Sequence, residues 1–213
     1  MLRSSVAVAA MILVACGSSS GLDRSALTTN VCTSGQWLPT RGVVPAAPTT
    51  YFARVSIDGA NARTVLDSVG TPCASAADAA ACDDALRAAR PTSGWRSGTC
   101  GGAGCNYTTE FFVAEHDGVV TVVDDVEKLR SAIAPVDGAE EAVLLAKYRY
   151  GGSAECSGPQ ARPVGGGAWE VIVATGDGQC TDRSEYLVRV AADGTMILVD
   201  STYRKAKETC LYP

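Results

Sequence analysis

The sequence predicts an α+β fold in which helices pack on antiparallel sheet and disulfides staple the whole. Strand-like runs meet at Asp-Gly turns, the chemistry of antiparallel hairpins, and the segments between them carry the start and stop signals of short helices. A third observation supplies the staples: nine cysteines stand in 213 residues. With 46% hydrophobic residues the chain has the material for a core. A length of about 180 residues beyond the N-terminal region suits one domain or two small intimate halves.

Taken in order, residues 52–57 read as the first strand and 61–69, closed by Gly70, as a short helix. Ser75, with Asp78 three residues on, opens an alanine-rich helix ending near Arg90, a start of the capping-box kind. Phe111-Phe112-Val113-Ala114-Glu115 then leads through His116-Asp117-Gly118 into Val119-Val120-Thr121-Val122-Val123-Asp124. Aspartate and glycine tolerate positive φ, so this is a hairpin. Asp124 or Asp125 opens a helix over 126–134. There Val126, Leu129 and Ile133 share a face, and Pro135 ends it. Asp137 and Glu140 mark another capping-box start, for a helix from Gly138 to about Tyr148 with Ala142, Leu145 and Ala146 on its apolar side. Residues 169–174 read as a strand with Trp169, Val171 and Val173 on one face, Glu170 and Ile172 on the other. Tyr186-Leu187-Val188-Arg189-Val190, Ala192-Asp193-Gly194 and Thr195-Met196-Ile197-Leu198-Val199-Asp200 form the second hairpin. The two hairpins align without a gap at an offset of 76 residues, Asp117 on Asp193 and Asp124 on Asp200. That spacing predicts a duplicated helix-then-hairpin unit, with halves at 51–125 and 126–201.

The N-terminal region is of a different kind. Arg3 precedes an apolar run over 6–15, too short for the about 20 residues of a membrane-spanning helix but of signal-peptide length. Leu13-Val14-Ala15-Cys16 resembles the lipobox of bacterial lipoproteins. The resemblance implies a signal peptide at 1–15, lipid on Cys16, and a chain held at the membrane by that lipid. Gly17, rather than aspartate, after the cysteine implies the outer membrane. Small polar residues from Gly17 onward read as a flexible tether over 16–30, leaving 31–213 as the folded domain.

With Cys16 assigned to lipid, eight cysteines remain, and an even number in an exported chain reads as up to four disulfides. Cys156–Cys180 is the expected principal pair, since the two flank one loop and strand. Cys100–Cys105 and Cys73–Cys82 are expected as local pairs, leaving Cys32–Cys210 to tie the ends. Zinc sites want closely paired cysteines or histidine partners. Here the closest pair is Cys100 and Cys105, and His116 is the sole histidine, so neither a metal nor a cofactor is expected.

The net charge of −5 becomes −6 once Arg3 leaves with the signal. With no Lys/Arg block, this argues against nucleic acid as a partner. His116 sits at a hairpin tip, without a second histidine for nucleophilic catalysis. Gly165-Gly166-Gly167 and Gly151-Gly152-Ser153 open no helix and read as loops rather than phosphate cradles. Asp124-Asp125 and Glu140-Glu141 could flank a sugar bond, but all four stand where helix N-termini favour negative charge. Trp37, Trp95 and Trp169 read as core or as the lining of a ligand groove.

Residues Val123-Asp124-Asp125-Val126-Glu127-Lys128-Leu129, Ile133-Ala134-Pro135-Val136-Asp137 and Glu141-Ala142-Val143-Leu144-Leu145-Ala146 resemble cysteine-rich lipoproteins of myxobacterial type, over roughly residues 50–205. That resemblance brings no activity and no site residue with it. In its order of elements the second half is similar to PepSY proteins, which implies protease inhibition or sensing outside the cytoplasm. The expectation is a non-catalytic, lipid-anchored envelope protein serving in binding or envelope structure, with an envelope protein as partner. A PepSY-like inhibitor or sensor and a carboxylate-dependent hydrolase are the alternatives.

Overall fold

In the computed structural model, which describes residues 21–101, 104–152, 154–176 and 181–206, the chain builds two antiparallel sheets with helices between and outside them. The α+β class read from the sequence is the class observed. The first sheet begins with β1 (Tyr51–Ile57) and β2 (Arg63–Gly70). After α1 (Ala79–Ala88) it continues with β3 (Trp95–Gly101), β4 (Gly104–His116) and β5 (Val119–Val123). Its order is β2-β1-β4-β3, with β5 also on β4. Two helices follow, α2 (Val126–Ile133) and α3 (Ala139–Tyr150). The second sheet is a meander of β6 (Ala161–Val164), β7 (Ala168–Thr175), β8 (Arg183–Val190) and β9 (Met196–Arg204).

Strand alternation explains how the first sheet is buried on both faces. Tyr51, Ala53, Val55, Ile57, Phe111 and Val113 point to α1, whose Cys82 and Leu86 meet them. Phe52, Phe112, Ala114 and Val123 point the other way, onto α2 and α3. Because both faces are covered, Phe111-Phe112-Val113-Ala114 runs without a polar break. Val171, Val173, Val188 and Val190 of the second sheet close on the same helices from the far side. Helix α3 therefore lies between two sheets, and Ala142 through Ala146 are all 0% exposed. Over these residues its apolar surface goes all the way round, as expected of a buried helical segment, and exceeds the one-sided stripe expected from the sequence.

Several expectations are corrected. The segment 61–69 is strand β2, not helix. Asp58 accepts from the Ala60 and Ala62 N–H groups, making Asp58-Gly59 a hairpin turn, and β-branched Thr64, Val65 and Val69 favour the strand. Helix α1 starts at Asp78, whose side chain accepts from Ala81 N, rather than at Ser75. The Cys73–Cys82 disulfide (S–S 2.01 Å) and the positive φ of Cys73 hold the preceding residues in a turn. Helix α2 is capped by Asp125 as read. The Asp137–Glu140 capping box does not form: Gly138 is the N-cap of α3, with no side-chain cap. At an offset of 76, β3, β4 and β5 fall on β7, β8 and β9, but β1 falls on α2 and α1 on residues 155–164, so the helices do not follow the hairpins.

The tether does not extend to residue 30. Leu22 and Leu27 are buried against Ile172 on the outer face of the second sheet, and Leu22 N donates to Glu185 at 2.8 Å. Thr29 pairs with Ala161 as an extra edge partner of β6. Val31 N donates to the buried Gln160 side chain. This strap carries Cys32 to Cys156, which it bonds at S–S 2.08 Å. Cys156 is thus paired to Cys32 and not to Cys180, and Cys32 is not paired to Cys210. Sequence proximity suggested the first pairing; the strap creates a closer neighbour across 124 residues. Cys16, Cys180 and Cys210 lie outside the described residues. Cys100 and Cys105 are backbone partners in the β3–β4 register, and their side chains lie outside the described residues.

Candidate functional site

A charged cluster sits inside the gap between the first sheet and α3. Arg54 on β1, Asp67 on β2 and Glu110 on β4 share the face of Phe52 and Phe112, by register and by contact. From α3 comes Lys147, with its side chain 17% exposed, and beside it the buried Tyr148. Tyr148 Oη donates to Glu110 Oε2 at 3.0 Å, and Lys147 Nζ donates to Tyr148 Oη at 3.3 Å. Glu110 Oε2 also lies 3.8 Å from Lys147 Nζ and 3.6 Å from Arg54 Nη1. Arg54 Nε is 3.0 Å from Asp67 Oδ2, an ion contact without the alignment of a hydrogen bond.

Aromatic rings hold this cluster in place. Trp95 packs on Tyr148 at 4.5 Å between centroids, and its indole N–H donates to the Tyr148 carbonyl at 2.9 Å. Phe112 meets both rings edge-on. The Lys147 ammonium lies 5.0 Å from the Trp37 ring centroid and 4.5 Å from that of Tyr148, within cation–π range. Trp95, Arg96, Glu110, Lys147, Tyr148 and the Gly151-Gly152 pair line a cleft of about 250 Å³. Gly151 ends α3 in the left-handed conformation with φ of 74°. Gly152 passes so close to Ala174 that a Cβ would stand 2.9 Å from its carbonyl oxygen.

Burial lowers the Lys147 amine to about 8, against the attraction of Glu110. Burial and the Glu110 charge together raise Tyr148. The result is an amine poised to lose its proton beside a phenol that keeps its own. Such an arrangement can bind a small polar ligand, and it can offer a neutral amine at mildly alkaline pH.

Of the residues singled out by sequence, Trp95 and the Gly151-Gly152 pair line the cleft, and the others fall elsewhere. Trp95 lines the cleft and Trp37 lies against the Lys147 ammonium at its edge, while all three tryptophans, Trp169 included, pack on the core. His116 ends β4, its side chain 40% exposed and its Nε2 3.2 Å from Asp117 Oδ2. Asp124 accepts from Thr92, Ser93 and Lys128. Burial opposes its charge, but these donors outweigh burial and hold the carboxyl well below its usual range. Glu141 accepts from Val44 N at 2.8 Å, and burial raises it. Asp124 is thus committed to the loop at residues 92–93 and Glu141 to Val44, while Asp125 caps α2. Among the described residues no group of three or more His, Cys, Asp and Glu side chains is placed to hold a metal ion. None of the helices among these residues is long and apolar enough to cross a membrane.

Lys147, Tyr148, Glu110, Arg54 and Asp67 escaped the reading of the sequence. A signal was present. Lys147 follows Val143-Leu144-Leu145-Ala146 without a break, and a charge next to a buried apolar turn needs a partner or a function. Comparison of the chain with protein-family models, with curated proteins and with solved structures finds no match.

Proposed function

We propose that this chain is a lipid-anchored protein of the bacterial cell envelope, at the outer membrane, whose domain binds a small ligand rather than converting it. One observation carries the binding reading: the cleft is a half-enclosed, aromatic-walled concavity on which a few polar groups converge. Ligand sites are generally built this way. At about 250 Å³ it falls below the roughly 300–1,000 Å³ of sites for drug-sized molecules, so the ligand is small. The Cys32–Cys156 and Cys73–Cys82 disulfides support export, because such bonds persist in oxidising compartments.

Two measurements test this reading. Saturation-transfer NMR with a mixture of short aldehydes and ketones, carboxylates and alkylamines should find a compound that contacts the protein. Its signal should disappear in Lys147→Met at unchanged fold. A mixture with no Lys147-dependent compound overturns the cleft as a binding site. Intact mass of membrane-extracted protein should show acyl chains, absent in Cys16→Ser; a native protein without acyl mass overturns the anchor.

A further inference from the structure

We propose that Lys147 captures its ligand covalently: the ε-amine adds to the carbonyl carbon of a small aldehyde or ketone in the cleft and holds it as a reversible imine. The inference rests on the cleft being the ligand site and names the ligand's chemical class.

The geometry supplies each part. Lys147 Nζ stands among the Trp37 and Tyr148 rings at the edge of the cleft, so an incoming carbonyl meets the amine between aromatic faces, with the cluster's polar groups beside it. Tyr148 Oη, 3.3 Å from Nζ, is the nearest hydroxyl, and it is itself bonded to the Glu110 carboxylate at 3.0 Å. Glu110 also lies 3.8 Å from Nζ. A hydroxyl and a carboxylate beside one amine make a path for protons between nitrogen and oxygen.

The step balances without a further reactant. The nitrogen lone pair forms the N–C bond while the carbonyl π pair moves to oxygen. One N–H proton passes to that oxygen and gives the carbinolamine. The C–O bond then breaks and the nitrogen lone pair makes C=N. The second N–H proton leaves through Tyr148 and Glu110, and the departing oxygen carries both protons away as water. Hydrolysis reverses the sequence and releases the ligand unchanged, as a binding protein requires.

The chain contains four lysines, and the other three lack this setting. Lys128 is clamped by Asp124 at 2.6 Å, and that bond raises its amine. Lys205 is exposed. Lys207 lies outside the described residues. Burial, in contrast, leaves a sizeable share of Lys147 as free base near pH 8, the form that attacks a carbonyl.

The test is reductive trapping of the full chain with limiting propanal and cyanoborohydride, followed by peptide mass mapping. Lys147 should carry the propyl group at least about tenfold more than Lys128 or Lys205, a threshold set below the roughly 10²–10⁴-fold of general acid–base assistance. Its labelling should rise with a midpoint near pH 8, whereas that of Lys128, whose amine Asp124 raises, should rise only at higher pH. Tyr148→Phe should slow Lys147 labelling about tenfold and leave the other lysines unchanged. Labelling of Lys147 no faster than Lys205 in the wild-type protein overturns the imine, and this arm needs no variant to fold. If a carboxylate or amine still gives a Lys147-dependent NMR signal in that case, the cleft remains a binding site and only the imine is refuted.

Discussion

Replacing Lys147 by methionine should remove a stability term that depends on pH. The folded amine titrates at about 8 and the unfolded one at 10.5. The folded state therefore binds its proton less tightly than the unfolded state. Below pH 8 both forms are protonated, and the native state bears the whole cost of a buried ammonium. Between about 8 and 10.5 the native lysine sheds its proton while the unfolded one keeps it. The unfolded state then holds more protons, and stability rises with pH across this window. A difference of about 2.5 units corresponds to roughly 3 kcal/mol at 1.36 kcal/mol per unit. Methionine fills a similar volume without a titrating group. Tyr148 titrates in both proteins and is held high chiefly by burial and Glu110, so its effect largely cancels in the difference. Urea unfolding of wild type and Lys147→Met at pH 7 and pH 10 measures the change. Because pH 10 stops short of the unfolded value, the stability difference should move by about 2.5 kcal/mol in favour of the wild type as pH rises. Parallel profiles, within about 0.5 kcal/mol, the ordinary scatter of surface changes, would show that Lys147 is not held at a lowered pKa.

Non-reducing peptide mapping should recover Cys32 with Cys156 and Cys73 with Cys82. Removing the first pair should cost more than removing the second, about 5 against about 3 kcal/mol in the chain-entropy model, because its loop is far longer; an equal or reversed order in urea melts would contradict the strap. Asp124→Ala leaves the Thr92 and Ser93 donors without their acceptor and should cost about 2–4 kcal/mol by the same assay. Asp124 is depressed in the folded state, so its contribution is present above its unfolded value of 3.8 and lost as pH falls below it. The acid limb of the variant should be shallower than that of the wild type. His116→Ala should change stability by less than about 0.5 kcal/mol and leave propanal trapping at Lys147 unaltered; a loss of trapping would bring the hairpin tip into the site.

How much was legible follows from which forces act locally. Asp125 followed by an apolar stripe and Pro135 specifies α2 almost to the residue, because capping and helix termination are settled within a few residues. The Asp117-Gly118 and Asp193-Gly194 turns are equally local. Asp58-Gly59 carried the same signal for β1–β2, but the polar flank of Asn61 and Arg63 masked it, and β2, an edge strand, shows no apolar alternation strong enough to correct the reading. The Cys32–Cys156 bond was out of reach for the opposite reason. It depends on where the strap lies across the second sheet, a tertiary fact that cysteine spacing does not contain. The candidate site is tertiary in the same sense: Arg54, Asp67, Glu110 and Lys147 come from four elements, and their pairing exists only once α3 is enclosed between the sheets.

The strap also joins the two halves of the functional reading. Five residues separate Cys16 from Leu22, and the six steps reach at most about 20 Å even when fully extended. From Leu22 the chain is held to the domain: by Glu185, by the apolar contact with Ile172, by Thr29 on β6, and by the covalent bond at Cys32. Five residues later it presents Trp37 to the Lys147 ammonium. The segment that would run up from a lipid at Cys16 therefore ends as one wall of the aromatic cage around the proposed capture residue. A lipid on Cys16 would keep the outer face of the second sheet near the membrane and bring the cleft's amine under the same short strap. Of the two described disulfides, Cys32–Cys156 is the one that fixes this connection, since Cys73–Cys82 lies with α1 on the far face of the first sheet.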